Sequence, residues 1–124
     1  MEMVANREQA VQALQKIGRT LYERGLVNGA EGNISLRAVD GTVYISARGS
    51  RLGELRPEDV AHITTAGQAV EPGPEPTSEY LLHTLVYESC PELRVVLHTH
   101  SAYATAVAVN RENVPPLIDE MTIL

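Results

Sequence analysis

The chain of 124 residues has no tryptophan, no phenylalanine and a single cysteine, Cys90. Five tyrosines are its only aromatics, so Leu, Val, Ile and Ala must fill the interior and the core has little bulk. A chain of this length buries only about two-thirds of the surface that its unfolded form exposes, which suits one domain. One cysteine excludes an internal disulfide and a cysteine-built zinc cluster, and it fits a reducing, cytoplasmic setting. No apolar run approaches the ~20 residues needed to span a bilayer, and the first residues lack an apolar stretch of signal-peptide length. Ten Lys plus Arg stand against sixteen Asp plus Glu, a net charge of −6 with no basic block. That balance argues against a nucleic-acid partner or an anionic membrane surface.

What is present reads as alternating helices and strands. Val4, Val11, Leu14, Ile17, Leu21 and Tyr22 recur at helical spacing, with Asn6 and Gln9 as a capping pair and Gly25 as the stop. Asn33 to Ala38 alternates like a half-buried strand, and Asp40-Gly41 turns it into a second run, Thr42 to Ser46. Ala47 to Leu55 reads as a loop, Pro57-Glu58-Asp59 as a turn, and Val60 to Thr64 as a short strand. Pro72, Pro74 and Pro76 exclude regular structure before a helix from about Glu79 to Ser89. A strand ending in the histidine pair follows, then a helix from Tyr103 to Val109 capped by Ser101, and an extended tail through Pro115 and Pro116. The apolar ending Met121-Thr122-Ile123-Leu124 is expected to lie on an exposed sheet edge of a shortened domain.

Chemistry concentrates in two places. In Val95-Val96-Leu97-His98-Thr99-His100, strand alternation points both imidazoles to one side, where residues two apart are separated by about 6.6 Å. Two such rings can share one cation, each nitrogen about 2.0–2.1 Å from it; they can equally be two solvent-facing or hydrogen-bonded histidines. Pro76-Thr77-Ser78-Glu79 sets two hydroxyls and a carboxylate at a helix start, which favours an anion such as a phosphate. Ordinary N-capping by Thr77 or Ser78 accounts for the same residues without any function. His83, four residues after Glu79, shares its helix face and is either a substitute ligand or a histidine packed on the sheet with one nitrogen bonded. His62 reads as a surface residue.

Taken together and in order, Glu31-Gly32-Asn33-Ile34-Ser35, Arg56-Pro57-Glu58-Asp59-Val60, Pro76-Thr77-Ser78-Glu79 and Val96-Leu97-His98-Thr99-His100 resemble the class II aldolase/adducin family. The resemblance runs from the first helix to the tail. It implies an α/β fold of three layers, α/β/α, with a largely antiparallel central sheet, and residues 1–124 as the N-terminal portion of the family domain. It also implies a homo-oligomer, by family habit a tetramer. In the fuculose-phosphate aldolase branch the matching positions make His98 and His100 ligands of Zn2+ or another divalent metal, with Glu79 as the acid/base that contacts it. Gly32, Asn33, Thr77 and Ser78 fall where that branch binds a substrate phosphate, and so does the loop around Arg48 and Gly49.

The sequence departs from the family pattern in three respects. No histidine follows His100, so the third zinc ligand of the family is missing from this chain. Arg48 stands where a phosphate-binding hydroxyl is usual, and Ala30 replaces another hydroxyl. The expected function is aldolase-type carbon–carbon cleavage of a small sugar phosphate, with the cation as Lewis acid. Epimerisation or dehydration of a sugar phosphate on the same site, or a metal-free scaffold role as in adducin, are the alternatives.

Overall fold

In the computed structural model, residues 3–115 are described. Helix α1 covers Arg7–Glu23 and is followed by strands β1 (Asn33–Arg37) and β2 (Val43–Ser46). Short 3-10 turns at Leu52–Glu54 and Pro57–Asp59 lead into β3 (Val60–Ile63), then α2 (Tyr80–Ser89), β4 (Val95–His98) and α3 (Ala102–Val109). The four strands form one antiparallel sheet in the order β3-β2-β1-β4. Among the described residues β4, which ends at His98, therefore lies at an edge.

Alternation along the strands sends side chains to two cores. Ile34, Leu36, Tyr44 and Val60 pack with Ala10, Val11, Leu14 and Leu21 of α1. Val43, Ile45, Ala61, Ile63 and Val96 pack with Tyr87 of α2 on the other face. This is the three-layer α/β/α arrangement read from the sequence, and its small aliphatic side chains match a chain without Phe or Trp. α3 buries none of its residues. Among the described residues, no helix is long and apolar enough to cross a membrane.

Local chemistry explains the element ends. Asn6 caps α1, its side-chain oxygen accepting the Gln9 N–H at 3.0 Å, while Gln9 Oε1 accepts the Ala5 N–H at 2.8 Å. Val4 lies outside the helix and instead bridges to Ala38. The β1–β2 turn is held by Asp40, whose Oδ1 accepts from both the N–H and the hydroxyl of Thr42. Ser101 precedes α3 as expected, but its side chain makes no capping bond.

Two readings of histidine change. The side chain of His62 is only 9% exposed: it stacks on Tyr44 with ring centroids 4.0 Å apart, and its nitrogens contact Thr42 Oγ1 at 2.8 Å and Glu71 at 3.3 Å. Burial against an aromatic ring on the neighbouring strand overrides the surface assignment, which rested on sequence neighbours alone. The histidine pair is not on one continuous strand either. β4 ends at His98 because its partner β1 begins at Asn33, directly opposite, and the His100 N–H bonds to the Leu26 carbonyl. The expected tail at Pro116 and the apolar ending at Met121-Thr122-Ile123-Leu124 lie outside the described residues.

Candidate active site

The site is built where the start of α2 meets the ends of β1 and β4. The chain enters α2 through a tie to the sheet: the Thr77 N–H donates to the Ser46 carbonyl and the Arg48 N–H to the Glu75 carbonyl. Thr77 is buried, and its hydroxyl accepts the Glu79 N–H at 3.4 Å, so it shapes the turn from which Glu79 projects. Arg56 holds the loop from the other side, gripping Asp59 in a two-pronged contact at 2.9 and 3.0 Å, which keeps the Asp59 carboxyl below its ordinary range. The Asp59 carbonyl in turn accepts the Ala47 N–H. The Arg56-to-Val60 motif thus serves structure, fixing the loop that bears Arg48 and Gly49.

A cavity of about 250 Å³ opens there. Gly32, Asn33, Arg48, Gly49, Thr77, Ser78, Glu79 and His100 all line it, so the singled-out residues gather in one place apart from His98, which sits just behind Glu79. Gly32 is required by its surroundings: its φ is +75°, and a Cβ would fall 2.7 Å from the His98 carbonyl oxygen and from a Val27 methyl. Arg48 is exposed and rests 3.7 Å from Glu75, free to swing toward the cavity.

Asn33 and His98 are register partners across β1 and β4, so their side chains leave the sheet on the same face, toward α2. Asn33 Nδ2 donates to Glu79 Oε2 at 2.6 Å. His98 Nδ1 lies 2.9 Å from that same oxygen, yet it has no hydrogen-bond partner because the ring N–H direction misses it. Of these two descriptions of one contact, closeness without alignment is what the geometry gives. The Asn33 hydrogen bond holds the Glu79 carboxyl below its ordinary range; burial opposes it, and His98 and His100 add to the lowering. The His100 ring stands beside that of His98, centroids 5.0 Å apart at 51°.

These observations bear on whether the residues suit a divalent metal. A buried ring nitrogen without a partner, a carboxylate oxygen beside it and a second imidazole next door are the right donor types. They fall short of a closed shell: among the described residues, no three His, Cys, Asp or Glu side chains stand together as a complete ligand group.

His83 is not the substitute ligand. It is fully buried, with both nitrogens occupied: Nδ1 by Ser35 Oγ at 2.8 Å and Nε2 by Asn33 Oδ1 at 2.5 Å. Ser35 Oγ also meets the Tyr87 hydroxyl at 2.8 Å. Burial lowers the His83 pKa to about 4 and raises that of Tyr87 to about 12, so both are neutral at pH 7. The sequence reading missed Ser35 and Tyr87. Their signal was present as spacing: Glu79, His83 and Tyr87 recur every four residues on one helix face, opposite Asn33 and Ser35, two apart on one strand face.

Residues 12–124 match the class II aldolase and adducin N-terminal domain. The chain belongs to this family. Its class II aldolase relatives include the methylthioribulose-1-phosphate dehydratase of Pseudomonas syringae pv. tomato, 39% identical over 83% of this chain and 50% of the relative. The 3-oxo-tetronate 4-phosphate decarboxylase of Pectobacterium atrosepticum is 32% identical over 85% of this chain and 48% of its own length. A solved L-fuculose 1-phosphate aldolase superposes with a TM-score of 0.77 at 29% identity, covering 89% of this chain and 51% of that one. The chain spans about half the length of the curated relatives it matches.

Proposed function

We propose that this chain forms the proton-transfer part of a lyase site for small phosphorylated sugars, with Glu79 as the acid/base. The observation that carries the proposal is the convergence of Asn33 and His98 on Oε2 of Glu79, in the wall of the cavity. A carboxylate that accepts a hydrogen bond there is ionised at neutral pH and able to take a proton from a carbon beside a carbonyl group. The substrate phosphate would lie against Gly32, Asn33, Gly49, Thr77 and Ser78, where the hydroxyls suit an anion, with Arg48 pairing with it. His98, His100 and Glu79 are the donors this chain would offer a divalent cation, Zn2+ being the leading candidate, as part of a ligand group that they do not complete by themselves. That cation supplies Lewis-acid polarisation of substrate oxygens. A cytoplasmic homo-oligomer belongs to the same reading.

Several reactions share the proton transfer. Loss of water from a 1-phosphorylated ketose leads, supported by the 39% identity to the methylthioribulose-1-phosphate dehydratase. Aldol cleavage comes next, supported by the likeness to the fuculose 1-phosphate aldolase, and epimerisation or decarboxylation would use the same base. Zinc-loaded protein incubated with methylthioribulose 1-phosphate and, separately, L-fuculose 1-phosphate separates the first two. Consumption of the first with loss of water supports dehydration, and release of dihydroxyacetone phosphate from the second supports aldol cleavage. Turnover of neither by protein carrying zinc removes the lyase reading for this chain. Glu79→Gln should slow the reaction by about 10²-fold or more.

The incomplete ligand group favours one second reading, a metal-free scaffold domain. Zinc below roughly a tenth of an equivalent in protein purified without a histidine tag would support it.

A further inference from the structure

The polar chain from Tyr87 to Glu79 runs through the core between α2 and the sheet, and it has a direction. Ser35, His83 and Tyr87 are fully buried and Asn33 is nearly so, which leaves no water to mend a mismatched donor or acceptor. Glu79 Oε2 accepts only, so the side of the Asn33 carboxamide facing it must be the NH2 group. The other side is then the carbonyl oxygen, which needs a donor, and the atom that meets it is His83 Nε2. A neutral imidazole that donates from Nε2 must accept at Nδ1, and the atom there is the Ser35 hydroxyl. That hydroxyl can donate to Nδ1 while Tyr87 donates to it. Every link therefore points the same way, from Tyr87 through Ser35, His83 and Asn33 to the carboxylate.

An asparagine amide has two orientations of nearly equal shape related by a half-turn, and only one presents a donor to Glu79. The reversed amide would set its carbonyl oxygen against the carboxylate and its NH2 against the His83 N–H. We propose that His83 is a positioning residue: its Nε2–H selects the Asn33 amide orientation that holds the Glu79 carboxylate in the cavity wall. The functional weight of this inference rests on the proposed role of Glu79, whereas the orientation itself does not. The His83 side chain does not line the cavity, and its hydrogen-bonded route to the Glu79 carboxylate runs through Asn33.

Nitrogen-15 NMR of the metal-free protein tests the orientation directly. His83 should appear as the Nε2–H tautomer, and one Asn33 side-chain amide proton should be shifted downfield by its bond to the carboxylate. His83→Gln keeps an N–H near the Nε2 position and should retain that Asn33 signal; His83→Leu removes the donor and should lose it. Ser35→Ala leaves Nδ1 unpaired while the Asn33 carbonyl still requires a donor, so it should keep the Nε2–H tautomer and the Asn33 signal. An Nδ1–H tautomer there would overturn the inference, and this covers the case in which His83→Leu fails to fold. Titration with zinc alone adds a functional readout: His83→Leu should bind about 10–100-fold more weakly than the unaltered protein, with His83→Gln close to it. An Nδ1–H tautomer in the unaltered protein, or an unchanged Asn33 signal in folded His83→Leu, would overturn the inference. If the unaltered protein binds no zinc, the metal part of the functional proposal falls while the NMR result still decides the positioning role.

Discussion

Asn33 and His98 sit opposite each other across the β1–β4 pair, and both side chains reach the same carboxylate oxygen, at 2.6 and 2.9 Å. One is a neutral amide that donates to the oxygen and the other a ring whose near nitrogen stands beside it without bonding. The amide bond is the largest cause of the lowered Glu79 pKa, and the ring sets its unpartnered nitrogen at the edge of the carboxylate. A cation drawn to that spot would meet both Glu79 and His98, with His100 alongside.

Removing that ring nitrogen should therefore be felt in metal binding before it is felt in folding. His98→Ala takes away a side chain only 26% exposed but with no hydrogen bond from its buried nitrogen, so thermal stability should change by about 1 kcal/mol or less. Zinc affinity, measured by calorimetric titration, should drop at least about tenfold, because a site short of ligands has none to spare. Equal affinity in the variant would remove His98 from the ligand set.

Stability should fall in acid through His83. Burial lowers its pKa from 6.5 to about 4 in the fold, helped by the charge of His98 and opposed by that of Glu79, with Ser35 and Asn33 on its nitrogens. The unfolded state then binds the proton more readily. The contribution is complete above about pH 6.5 and is lost as pH falls through about 4, amounting to about 3 kcal/mol in all. Urea midpoints measured from pH 8 to pH 4 should fall less steeply in His83→Gln than in the unaltered protein. Parallel curves would show that His83 titrates normally.

Gly18 offers a test of packing on the opposite face of the sheet. It lies inside α1, where alanine is ordinarily the better residue by about 1 kcal/mol. Here an added Cβ would come within 2.2 Å of the Leu52 carbonyl oxygen, a backbone atom fixed in the 3-10 turn that α1 packs on. Overpacking should win, and Gly18→Ala should destabilise by about 2–3 kcal/mol in urea unfolding. A neutral or stabilising result would mean that α1 and the turn are further apart than described.

Much of this was readable from residue order. Asn6 and Gln9 marked the start of α1, Asp40-Gly41 marked the hairpin, and the proline run ended one residue before the buried Thr77 that sets up Glu79. These are local effects, in which a side chain and the backbone it bonds are only a few positions apart. The residues expected to bind substrate also fall together around one cavity, because each motif sits at an element end on the same side of the sheet. Where the reading went astray, the decisive neighbour was distant in sequence. His62 reads as a surface residue because Val60 and Thr64, its neighbours at alternating spacing, are neither acidic nor histidine, yet its side chain stacks on Tyr44 and meets Glu71.

The sequence by itself determined the periods, the caps and the turn, and its four motifs, by resemblance, the layered α/β domain of the class II aldolase and adducin family, with a carboxylate at a helix start and a histidine pair where a strand ends. Only the tertiary structure decided that β4 pairs with β1 in the register that sets His98 across from Asn33, and that His83 spends both nitrogens in the core. The reason is physical: hydrogen bonds within a turn or helix cap are fixed by chain connectivity. Strand register and the satisfaction of buried polar groups are instead fixed by which surfaces must leave water together, and that choice belongs to the whole fold.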